Sequence, residues 1–297
     1  MQASLSCSLL QQKLENGRSI YESFYSDMSF PVSKRVDLTV SPTAKFASFP
    51  YHDYTPFAQF ISRDELLKEL KMEGMCCHEH GSSNTLINQS CDVSGSRDGV
   101  CIVTRSIILS NSHAGTHADQ PKHFEKDPII ERFDESQYNG LCMVLFMEDV
   151  IPVGEFAIKK EHLEKLFEKI SIPKSHIVRL LLKTRTQPNN DTEWTNDFCH
   201  FTVESAQYLA EEFENLLLIG IDTPSVDHPN KAPIIAFSHG QFWNKRIALL
   251  ENLQFTNLPR NDKKSHLIGF LQTIFNPLQT CEDAIGCFVS LFPSSTH

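Results

Sequence analysis

Apolar positions along the chain fall into short blocks with two different periods. Residues 36–40 alternate apolar with polar and are β-branched, which predicts a half-buried first strand. Residues 102–109, 177–182, 216–221, 246–250, 267–274 and 285–292 read as further strands. Residues 143–150 form another, and their almost continuous apolar run suits a strand covered on both faces. Helical spacing appears in three places. Residues 62–72 put Leu66, Leu67 and Leu70 on one side, with Ser62 as N-cap and Glu65 placed to complete a capping box. Residues 155–170 carry Leu163, Leu166, Phe167 and Ile170 on one stripe. Residues 203–213 follow Thr202, a natural N-cap. The order strand 177–182, helix 203–213, strand 216–221 predicts a βαβ unit with parallel pairing.

Two stretches stand apart. Residues 1–35 have no clear period and read as an extension ahead of a main domain spanning 36–297. Residues 73–100 are rich in Gly, Ser, Asn and Cys and read as a loop inserted into it. Within that loop, Cys76-Cys77-His78-Glu79-His80 lacks the paired spacing of a structural zinc site. A chain of 297 residues with 40% hydrophobic and 22% charged positions can bury a sizeable core. Its formal net charge of -10 argues against binding a phosphate backbone, so no nucleic-acid partner is expected. No apolar run approaches the roughly 18 residues of a membrane span, so no membrane partner is expected either. The first ten residues lack a basic region followed by an apolar stretch, and nine scattered cysteines do not form a disulfide framework. Reduced thiols and a cytoplasmic location are the expectation.

The chemistry concentrates in residues 113–124, His-Ala-Gly-Thr-His-Ala-Asp-Gln-Pro-Lys-His-Phe. Neutral imidazole and carboxylate are the usual ligands of zinc and similar ions, which makes His113, His117 and Asp119 candidate metal ligands. A carboxylate has two oxygens and can bridge two ions. Gly115 and Pro121 disfavour a continuous helix, so the cluster is expected on a loop leaving the strand at 102–109, with Gly115 supplying a sharp turn. Single loop histidines are usually just solvated; three with an aspartate at this spacing are hard to explain that way.

This string resembles the signature H-x-G-T-H-x-D-x-P-x-H-[FY] of the cyclase-like metal hydrolases, a family that includes bacterial-type kynurenine formamidase and isatin hydrolase. Other strings agree. Asp37-Leu38-Thr39 and Phe49-Pro50-Tyr51-His52-Asp53 resemble the family's opening strand and its Trp-Pro-Gly-Asp element, with Phe49 in place of the tryptophan and Tyr51-His52 in place of the glycine turn. Residues 180–184, residues 201–206 and the strand at 246–253 have family counterparts, and Gly220-Ile221-Asp222-Thr223-Pro224-Ser225-Val226-Asp227 is similar to the formamidase version of its loop. The resemblance spans roughly residues 36–292.

The resemblance implies a swivelling β/β/α fold of the α/β class, with a mixed sheet, a barrel-like core and flanking helices. It implies two further ligands twelve residues apart, which His239 and Glu251 match. His113, His117 and Asp119 would then bind one ion, and Asp119, His239 and Glu251 a second. A glutamate among Leu249, Leu250 and Leu253 fits this, because a buried carboxylate needs a partner. His123 matches the family's acid/base. Phe49 and Phe124 are candidates for the substrate pocket, with ordinary core packing as the other role for either; Thr116 would orient the loop or serve a plain structural role. The implied cofactor is Zn(II), with Mn(II) as the alternative and one or two ions per site. The implied reaction is hydrolysis of N-formylkynurenine to kynurenine and formate. A lactam or lactone hydrolase and a catalytically weak interaction protein retaining the fold are the alternatives. The implied assembly is a homodimer or homotetramer acting on a small-molecule substrate.

Overall fold

A computed structural model describes residues 12–16, 19, 28–39, 112–113, 115–124, 132–184, 197–228, 238–260, 264–275 and 283–295, and the backbone of 57–59 and 107–109. The strands are β1 Val36–Asp37, β2 Phe57–Gln59, β3 Ile107–Leu109, β4 His117–Asp119, β5 Gly140–Phe146, β6 Ala157–Ile158, β7 Arg179–Lys183, β8 His200–Phe201, β9 Leu218–Ile221, β10 Ala248–Glu251, β11 His266–Phe275 and β12 Ala284–Pro293. The α-helices of the main domain are α1 Pro121–Phe124, α2 Lys160–Phe167, α3 Val203–Glu212 and α4 Ser238–Asn244.

Strands β12, β11, β5, β7, β9, β10 and β4 pair in that order, and β4 pairs back to β12, so the sheet closes. The run β5-β7-β9-β10 is parallel, and every other pairing in the ring is antiparallel. β1 pairs with β12. The expected βαβ unit is present as β7, α3 and β9, with Leu180 opposite Ile219. The mixed sheet, barrel-like core and flanking helices match the fold that the resemblance implies.

Alternation along the strands builds two cores. Val144, Phe146, Leu181, Leu250, Val289 and Leu291 point into the ring and pack with one another. Met143, Leu145, Leu180, Leu182, Ile219 and Leu249 point outward, under Leu163, Leu166 and Phe167 of α2 and Leu209 and Phe213 at α3. This is why 143–146 lacks polar positions: both faces are covered. Thr202 caps α3 as expected, accepting from Ser205 N at 3.2 Å.

Several boundaries differ from the sequence reading. The strand expected at 143–150 runs Gly140–Phe146, and Met147–Asp149 form a 3-10 turn. The helix expected at 155–170 begins only at Lys160, because Ala157–Ile158 pair with β8 instead. Both expectations counted apolar residues that packing uses in another conformation. Part of the extension is docked: Lys13 Nζ donates to Leu216 O at 2.9 Å, and Asn16 Nδ2 to Asn215 Oδ1 at 2.9 Å. The helix expected at 62–72, the insertion at 73–100 and Phe49 lie outside the described residues. Among the described residues no helix is long and apolar enough to cross a membrane.

Gly220 sits where β9 presses closest to the interior. A Cβ there would run into Leu181 Cδ2 and lie 2.9 Å from Leu253 Cδ1. Both neighbours are fully buried, so neither can swing into solvent. Gly220→Ala is expected to lower unfolding stability by about 1–3 kcal/mol through overpacking. Urea denaturation should show an earlier midpoint with an unchanged slope; a variant as stable as the wild type would contradict the close fit.

Candidate metal and catalytic site

Strand β4 organises the site. His117 and Asp119 are two residues apart on it and therefore share a face, while Ala118 between them points into the ring. Register places Glu251 of β10 opposite His117. On the other edge, Ala284 and Gly286 of β12 lie opposite Asp119 and His117, so no large side chain is directly across from either. Gly115 adopts a positive φ of 71°, a turn that suits glycine and folds His113 back over β4. His239 is the second residue of α4, and His123 lies on α1.

The cluster is therefore not confined to a loop, as the glycine and proline suggested. Only His113 occupies a turn. Residues 117–119 are extended because β10 and β12 pair with both edges, a long-range effect that local spacing does not reveal. Pro121 opens α1 rather than preventing it, since its fixed φ and missing N–H suit the first helical position.

The donor atoms converge. His113 Nδ1 lies 3.0 Å from His117 Nε2 and 3.3 Å from Asp119 Oδ1, and His117 Nε2 lies 3.4 Å from Asp119 Oδ1. His117 Nε2 is 3.3 Å from Glu251 Oε2. On the other side, His239 Nε2 lies 3.4 Å from Asp119 Oδ2 and 3.6 Å from Glu251 Oε1. Ligands about 2.0–2.1 Å from a tetrahedral ion stand roughly 3.3 Å from one another. Asp119 is fully buried, and both its oxygens, like His239 Nε2, lack an aligned hydrogen-bond partner among the described residues. An unsatisfied buried carboxylate flanked by nitrogens at ligand spacing is the arrangement a cation would complete. The five residues that sequence reasoning named are brought together, with Asp119 between the two halves.

The electrostatics agree with this geometry. Burial pushes the Asp119 carboxyl up, but the neighbouring imidazoles of His123, His113, His117 and His239 hold it well below the usual range. Burial and then the charge of Asp119 raise Glu251. Burial opposes a proton on His117, yet Asp119 and Glu251 raise it to about 10. His113 and His239 are raised too, with carboxylates again outweighing burial. Two facing carboxylates thus demand positive charge, which protons supply in the bare pocket and a cation would supply in their place. His123 differs: burial lowers it to about 3, so its imidazole is neutral near pH 7. Its ring centroid is 4.5 Å from that of His113 and 5.3 Å from that of His239.

Sequence reasoning assigned no role to two carboxylates that contact the ligand set. Asp227 Oδ2 accepts from His239 Nδ1 at 2.6 Å, and its carboxylate also accepts from the backbone N–H groups of Ser238 and His239. Asp283 Oδ2 lies 3.2 Å from His113 Nε2. Asp227 stands in the quoted 220–227 string; Asp283 carries no local signal, because only the β12–β4 pairing brings it near.

The Cyclase family model, described as "Putative cyclase", matches residues 27–228, more than half of the chain. The chain belongs to the cyclase family. The match begins within the expected extension and ends before His239 and Glu251. Kynurenine formamidase of Bordetella petrii is 30% identical over 163 residues, covering 54% of this chain and 71% of that protein. Isatin hydrolase A from Ralstonia solanacearum superposes with a TM-score of 0.56 at 15% identity, over 86% of this chain and 90% of its own. A protein described as a potential metal-dependent hydrolase with cyclase activity gives 0.55 at 18% identity, over 87% and 96%. These two superpositions show a shared fold.

In this cyclase-family chain the loop after β9 braces Glu251 and its neighbour Asn252. Val226 N donates to Glu251 Oε1 at 2.8 Å, and Asn252 N to Thr223 O at 2.9 Å. Thr116 has a structural role here: its Oγ1 donates to Asn252 O at 2.6 Å, tying the approach to β4 to the end of β10. Phe124 stacks on Trp243 at 5.0 Å and 3° and lies edge-on to His123 at 5.5 Å, so it backs the histidines while packing against both cores. At the start of the loop, Asp222 accepts from Thr184 N at 2.9 Å and Thr184 Oγ1 at 2.7 Å, joining the ends of β7 and β9.

Burial pushes the Asp222 carboxyl up to about 7 despite those bonds. A carboxyl raised in the folded state stabilises below its unfolded pKa of about 3.9, and that contribution is lost as pH rises towards 7. Relative to the wild type, Asp222→Asn should therefore gain on the order of 2–4 kcal/mol between pH 4 and pH 8. Urea denaturation across that range tests it; parallel pH profiles for the two proteins would contradict the buried carboxyl.

Proposed function

We propose that the chain is a metal-dependent hydrolase of amide C–N bonds. The observation that carries this reading is the ring of donor separations between 3.0 and 3.6 Å around Asp119. His113, His117 and Asp119 would hold one divalent ion, and Asp119, His239 and Glu251 a second. The all-nitrogen and oxygen donor set suits Zn(II) first and Mn(II) next. When bound, such an ion lowers the pKa of a water towards 7 and polarises a carbonyl oxygen.

The chain's own residues supply the remaining work. His123 stands beside the imidazoles of His113 and His239 and is the group placed to accept a proton from the attacking water. An amine leaves poorly unless protonated, so the imidazole nitrogen that took the proton returns it to the departing nitrogen as the C–N bond breaks. Phe124 and Trp243 hold the imidazole wall and keep water away from it. The substrate we propose is N-formylkynurenine, a small molecule cleaved to kynurenine and formate. Support comes from the kynurenine formamidase relatives and from the 220–227 string, whose Val226 and Asp227 touch Glu251 and His239.

Incubation of the zinc-loaded protein with N-formylkynurenine should release kynurenine absorbance. Chelation should abolish that release and added zinc restore it. Turnover of isatin or a lactone without any release of kynurenine would overturn the substrate and keep the reaction class. His123→Ala should lose about 10²–10⁴-fold in kcat while retaining its metal content. A variant with full turnover would remove His123 from the chemistry.

A further inference from the structure

The three imidazoles with a nitrogen within 3.4 Å of Asp119 each have the second nitrogen engaged. His117 directs Nδ1 to Gly115 O at 3.0 Å, and His239 directs Nδ1 to Asp227 at 2.6 Å, so both present Nε2 to the site. His113 is reversed. Its Nε2 is turned to Asp283 at 3.2 Å, and its Nδ1 faces His117 and Asp119. Asp283 is itself held in three ways. Its Oδ1 accepts from Ser112 Oγ at 2.6 Å, its backbone carbonyl accepts from Gln120 N at 2.7 Å, and it immediately precedes Ala284, the register partner of Asp119.

A neutral imidazole carries one proton, and Asp283 on one side and His117 Nε2 on the other compete for that of His113. A proton on Nδ1 would point at His117 Nε2, 3.0 Å away, and would block ligation there. A proton on Nε2 is donated to Asp283 and leaves Nδ1 as an acceptor. We propose that Asp283 is a positioning residue of the cation site, fixing His113 in the tautomer that presents an unprotonated Nδ1 to the pocket. Carboxylates behind ligating histidines commonly orient the ring and raise its basicity. Here the closure of the ring between β12 and β4 delivers that carboxylate, so the seam of the fold and the ligand set are one construction. The inference rests on the cation reading above.

The test uses the full chain and Co(II) as the probe, with affinity read by chelator competition and ligand geometry by visible absorption. Asp283→Ala should weaken Co(II) binding about 10–100-fold and alter the absorption bands. Asp283→Asn should recover part of the affinity, since its carboxamide oxygen can still accept from Nε2. Ser112→Ala should give a smaller loss in the same direction, and with Asp283→Asn it carries the test if the alanine variant does not fold. A purely structural role for Asp283 would lower the unfolding midpoint and leave affinity and spectrum unmoved. Wild-type affinity and bands in the Asp283 variants, with the wild type binding Co(II), would overturn this role alone. A wild type that binds no Co(II) would overturn the cation reading with it.

Discussion

Strand β4 is three residues long and is held on both edges, by Leu250 and Glu251 of β10 and by Ala284, Ile285 and Gly286 of β12. This short segment closes the sheet. Closure buries Ala118 in the ring and forces its neighbours His117 and Asp119 onto the opposite face, away from water. A fully buried carboxylate costs several kcal/mol unless it is paired. Asp119 meets only side-chain nitrogens, none of them aligned as a hydrogen-bond donor to it. The strain of that arrangement is relieved by positive charge at one point, and the rest of the site is built to receive it.

That demand explains features that look unrelated along the chain. Residues 284 and 286 place no large side chain opposite Asp119 and His117, and a glycine at 115 lets His113 turn back. The loop after β9 gives one N–H to Glu251 and a carboxylate to His239, so both side chains are oriented by a partner. His123 alone is left neutral by burial, at the edge of the cluster rather than within it. In the proposed hydrolase, ligation and proton transfer are thereby divided between side chains a few ångströms apart.

The parts legible in the sequence are those set by local pattern. Thr202 followed by an amphipathic run announced α3, and the apolar strands at 177–182 and 216–221 announced their parallel pairing. His113, His117 and Asp119 were legible because metal-ligating residue types fall within a few positions of one another. The extended state of 117–119 was not legible, because it depends on β10 and β12, more than a hundred residues away. For the same reason Asp283 has no local signature, and Ile158, counted into a helix, is taken by a strand contact with Phe201. His239 and Glu251 gained their assignment from family resemblance; nothing in their own surroundings marks the histidine.

The proposed chemistry needs one cation gripped by nitrogen and oxygen donors at Asp119. X-ray absorption at the zinc edge, on protein loaded with one equivalent of Zn(II), reads that coordination directly. The expected first shell contains only nitrogen and oxygen at about 2.0–2.1 Å, with the outer scattering of two or more imidazoles. A sulfur shell near 2.3 Å, or zinc surrounded by water alone, would contradict it.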